Sequence, residues 1–120
     1  MSQNPLAESI EDIEVAYEYM LAYAAQGRKT DIGENSVPIR EYLTKMTGAL
    51  DVIYSYLKNQ QNQGAFIKVA IDDLMIAKDI VELTLKKKNI GSQCIDNVNA
   101  SVHIRTMITD LFILEDLESE

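Results

Sequence analysis

Two runs of apolar residues repeat with alternating steps of four and three. The first is Leu6, Ile10, Ile13, Tyr17, Met20 and Ala24; the second is Ile39, Leu43, Met46, Leu50, Ile53 and Leu57. This spacing keeps side chains on one face of a long α-helix. Asn4 and Pro5, followed by Glu8 and Glu11, read as a helix start. Asn caps, Pro suits the first turn, and acids favour the positive end of the helix dipole. Gly27 is a natural stop, and the polar stretch from Arg28 to Val37 reads as a loop. A second helix starts near Ser36, with Pro38 in its first turn, and runs to about Asn59. The stretch from Asn59 to Gly64 is a polar connection.

Of the 21 residues from Ala65 to Leu85, fourteen are apolar, so a third helix needs a wide buried arc. Its polar positions gather on one strip: Lys68, Asp72, Asp79, Glu82 and Lys86. Asn89 and Gly91 end it. A fourth apolar period starts near Ser92 and passes through Val98, Val102, Met107, Ile108 and Leu111. No segment alternates with period two for long enough to make a strand. The expectation is one all-α domain over residues 1–120, an antiparallel up-down-up-down four-helix bundle. Its helices span about 5–26, 37–59, 65–88 and 92–117.

Charge adds a direction to this picture. The net charge of -8 opposes a nucleic-acid partner, which requires a basic face. Residues 1–26 hold Glu8, Glu11, Asp12, Glu14 and Glu18 without a Lys or Arg. Residues 110–120 hold Asp110, Glu115, Asp116, Glu118 and Glu120, again without a base. In an up-down-up-down order these ends meet and form an acidic pole. No apolar run, Leu111 to Leu114 included, is long enough to span a membrane. A lone Cys94 and the lack of a signal-like N-terminus fit a reducing, cytoplasmic location.

Few residues suggest chemistry. Glu11 with Glu14, and Asp79 with Glu82, are carboxylate pairs on two helices. They resemble the arrangement by which all-α nucleoside triphosphate pyrophosphatases hold magnesium. The pairs lie at different levels, however, and largely off the core seam, so a solvated outer face accounts for them. His103 is the one histidine. A histidine on a helix resembles the histidine phosphotransfer bundles, but Thr106 and Met107 stand where their lysine and glycine would be. Cys94 reads as a small apolar residue. Arg28, Lys29 and Arg40 are placed to converge on an anion near the second helix.

The remainder is apolar surface beyond what the bundle seams use. Val15, Tyr19 and Tyr23 form a second stripe on the first helix, and Tyr42 and Tyr56 flank the second. Tyrosine, with its apolar body and polar tip, is enriched at interfaces. Phe66, Ile76 and Leu83 on the third helix, with Phe112 and Ile113 on the fourth, are assigned to self-association as a dimer. The functional expectation is a non-catalytic protein–protein interaction module, a small acidic adaptor, chaperone or regulator. Val15, Tyr19, Tyr23, Tyr42 and Tyr56 meet the protein partner. No catalytic residue, metal ligand or cofactor is assigned. The alternatives are the magnesium-dependent pyrophosphohydrolase and, after it, the phosphotransfer domain.

Overall fold

In the computed structural model, residues 5–33, 35–61 and 63–118 are described. They form five α-helices, with no strand among the described residues: α1 (Pro5–Ala24), α2 (Ile39–Lys58), α3 (Ala65–Leu85), α4 (Ser92–Ala100) and α5 (Val102–Glu118). The molecule measures 49 × 31 × 20 Å. No described helix is long and apolar enough to cross a membrane. The cap expected at Asn4 and the acid Glu120 lie outside the described residues.

The second ladder is buried throughout: Ile39, Leu43, Met46, Leu50, Ile53 and Leu57 are each at most 1% exposed. On α1 the buried face turns by one position toward its C-terminus. Leu6, Ile10, Ile13 and Met20 stay in the core, but Ala16 and Tyr23 are buried where Tyr17 and Ala24 are only half-buried. The turn brings Tyr23 inward, where its hydroxyl donates to the carbonyl of Ile90 at 2.5 Å.

The largest departure from the periodicity is in the last segment. One helix over 92–117 is expected, but the chain breaks between α4 and α5. Ser101 adopts extended backbone (φ -61°, ψ 131°), and its hydroxyl accepts the N–H of His103 at 3.2 Å. That is an N-cap contact, and it starts a new helix. Before the break, the Asn99 amide donates to the carbonyl of Met20 at 3.1 Å and holds α4 against α1. After it, α5 packs chiefly on α3 and only lightly on α1. The remaining seams join α1 to α2 and α2 to α3, while α1 and α3 share no contact.

A polar cluster binds the α1–α2 loop to the α3–α4 connection. Asp31, 2% exposed, accepts the Arg40 guanidinium at 2.7 Å and the N–H of Ile90 at 2.9 Å. Arg40 also donates to the carbonyls of Leu85, Lys87 and Lys88 at 2.8–3.0 Å, satisfying the orphan acceptors at the end of α3. Ser92 donates to the carbonyl of Tyr23 and accepts the N–H of Arg28, at 2.7 and 2.9 Å. Gly91 sits where a Cβ would meet the backbone oxygens of Arg28 and Lys29 at 3.0 and 3.1 Å. Backbone cannot swing aside as a side-chain tip can. Gly91→Ala should therefore lower stability by about 1–2 kcal/mol, read by urea denaturation.

Candidate functional site

Because α5 leans toward α3, a groove opens between α1 and α5. It has a volume of about 430 Å³. Its floor is Ile10, Ile13 and Leu111, each at most 2% exposed, with Tyr17 and Ile108 half-buried beside them. Val15 and Phe112 stand on its edges, 41% and 46% exposed. Its charged lining is entirely acidic: Glu11, Glu14 and Glu18. They recur at steps of three and four and so share one side of α1.

Electrostatics mark this edge of the molecule. Burial raises the pKa of the Glu14 carboxyl, and the like charges of Glu115, Glu11 and Glu18 raise it further. Glu115 on α5 is thus close enough to Glu14 on α1 for their like charges to interact. Among the described residues, none of these four glutamates has a cationic partner within salt-bridge distance. Unlike them, Asp12 meets Lys45 at 3.9 Å and Asp51 meets Lys78 at 2.5 Å.

The other candidate residues are dispersed. Tyr23 is a correction: at 0% exposure, with its hydroxyl spent on Ile90, it is core and closed to a partner. A tyrosine in a stripe is compatible with either role until its hydroxyl finds a buried acceptor. Tyr19 and Tyr42 stack on each other, ring centroids 4.1 Å apart and planes 9° from parallel, and both are half-buried. Tyr56 is half-buried and donates to Glu118 at 3.3 Å. Of the residues assigned to self-association, Phe112 falls in the groove and Ile113 beside it at 43% exposure. Ile76 and Leu83 lie on the outer face of α3 at 42% and 55%, in heptad step with Val69 at 52%. Phe66 packs against the core.

The carboxylate pairs Glu11/Glu14 and Asp79/Glu82 form no common cluster among the described residues, and Glu82 faces Lys78 at 3.9 Å. No cluster of three or more metal-binding side chains occurs among the described residues. Arg28, Lys29 and Arg40 do not hold a common anion. Arg40 is engaged by Asp31, and the Arg28 guanidinium donates to the carbonyls of Thr30 and Asn35. His103 is exposed in the first turn of α5. Cys94 is half-buried beside Lys87 in a shallow depression between α3 and α4.

The periodicity of the chain also conceals a buried carboxyl pair. Asp73 on α3 and Asp110 on α5 neighbour each other across the α3–α5 seam. One oxygen of each, Oδ2, is buried without a hydrogen-bond partner. Burial and the neighbouring Asp73 carboxyl raise the Asp110 pKa to about 7. The sequence signal was present: Asp110 stands in step with Met107 and Leu114, both in the core.

Comparison with protein-family models, with curated proteins and with solved structures finds no match to this chain.

Proposed function

We propose that this protein is a non-catalytic interaction module, a small acidic adaptor, chaperone or regulator, that receives a protein partner in the α1–α5 groove. In this reading α4 and α5 together take the place of the fourth helix of an antiparallel bundle. The observation that carries the proposal is the placement of Val15 and Phe112 on facing edges of one apolar floor. Each was singled out by periodicity for a separate reason, and the fold brings them to one groove. Large exposed apolar side chains around a concave floor are the physical mark of a docking site. The tyrosine stack of Tyr19 and Tyr42 supports this surface from within rather than forming it.

The test is differential capture from a lysate of the source organism, using wild type and a Val15→Ser/Phe112→Ser variant. Both positions are more than two-fifths exposed, so the variant should melt within about 2 °C of wild type. The expected result is a defined partner retained by wild type and lost by the variant. Identical retention by both proteins removes the groove as the working surface.

A further inference from the structure

The chemistry of the groove restricts what can fill it. Its floor is apolar and its charged lining is carboxylate alone. Glu11, Glu14 and Glu18 rise along α1 over about 10 Å, two turns of helix. Glu115 of α5 adds its negative charge to that of Glu14. Like charges held together without counter-ions cost free energy, and a ligand that brought cations would relieve that cost. An anionic or purely apolar occupant would bury these carboxylates unpaired and increase it.

Resting on the docking function proposed above, we infer that the partner presents a basic amphipathic helix to the α1–α5 groove. A third helix laid between two splayed ones follows the ordinary geometry of helix-in-groove recognition. Its apolar residues, at steps of three and four, contact Val15, Phe112 and the half-buried Ile108. Its Lys or Arg residues recur at the spacing of Glu11, Glu14 and Glu18. A second copy of this chain does not supply such a face. α1 and α4 contain no Lys or Arg, α5 has Arg105 alone, and the bases of α2 and α3 are separated singly among acids and apolar residues.

The experiment measures fluorescence anisotropy of synthetic amphipathic helices on the full chain. One peptide carries Leu on one face and Lys on its flanks; two counterparts replace every Lys by Gln or by Glu. The Lys peptide should bind at least about tenfold more tightly than either counterpart. The triple variant Glu11→Gln/Glu14→Gln/Glu18→Gln should remove that advantage. The pair Asp79→Asn/Glu82→Gln on α3 should leave it intact. Equal loss from the α3 pair would mean attraction to bulk charge and would overturn the inference. Equal binding of all three peptides, weakened in each case by Phe112→Ser, would overturn the basic partner while leaving the docking function standing. A dimer in light scattering that Phe112→Ser dissolves would assign the groove to a second copy and overturn it too. If no peptide binds and capture does not distinguish the groove variant, the docking function itself falls.

Discussion

Replacing Asp31 by Ala should cost about 3 kcal/mol and lower the melting temperature by about 10 °C. Asp31 is 2% exposed, and its carboxylate is the acceptor on which Arg40 and the Ile90 N–H converge. Without it the guanidinium stays at the end of α3 with no counter-charge, and a buried N–H loses its partner. The buried N–H is left at close to its full desolvation cost, while Arg40, 34% exposed, is partly relieved by water. The loss extends beyond one residue, because Arg40 also satisfies the carbonyls of Leu85, Lys87 and Lys88. The pH dependence has a definite sign. Burial works to raise the Asp31 pKa, but the bonds from Arg40 and Ile90 outweigh it and hold the pKa below the ordinary 3.8. The stabilisation is therefore fully present above the unfolded value and is lost as pH falls through the folded one. The gap between wild type and Asp31→Ala should be constant at neutral pH and close only below about pH 4. A gap under about 1 kcal/mol at pH 7 would show that the cluster is ornamental to stability.

The second large effect runs the opposite way. Asp110→Asn should stabilise the protein at pH 8 by about 2 kcal/mol, and by little or nothing at pH 4. In the wild type the proton kept by Asp110 spares its buried carboxyl a negative charge beside Asp73. The folded chain keeps that proton up to about pH 7, whereas the unfolded chain releases it near 3.8. Between those values the native state binds more protons than the unfolded state, so this group's contribution falls as pH rises. Above about 7 Asp110 carries its charge where burial and the Asp73 carboxyl oppose it. An Asn amide donates to Asp73 at every pH and removes the dependence. Chemical denaturation of both proteins from pH 4 to pH 8 checks this. Curves that stay parallel would mean that Asp110 titrates as an ordinary surface carboxyl.

These features differ in how far the chain announces them. The second ladder is buried along its whole length because six apolar residues at strict helical spacing leave one orientation with their area out of water. The helix break was harder to read. Ser101 is a good N-cap, but Val98, Val102 and Met107 continue an apolar period across it, and local capping prevailed over periodicity. Tyr23 was misread for a related reason. Its role depends on Ile90, a neighbour in space 67 residues along the chain, and no local pattern contains that contact. The Arg40 contacts are equally remote, at 45 to 48 residues. The groove lies between these cases. Val15, Phe112 and the acids of α1 were each visible in the sequence, but their meeting follows from the direction α5 takes after Ser101.

That direction has a mechanical consequence. One residue separates α4 from α5, so the backbone torsions of Ser101 aim a rigid rod of 17 residues. The rod is about 25 Å long, and a rotation of about 10° at its base would sweep its far end through about 4 Å. Phe112 and Glu115 ride on the outer half of that rod, whereas Val15 and the α1 glutamates are fixed to the body of the molecule. The torsions of Ser101 thus set the angle at which α5 leaves α4, and with it the width of the groove.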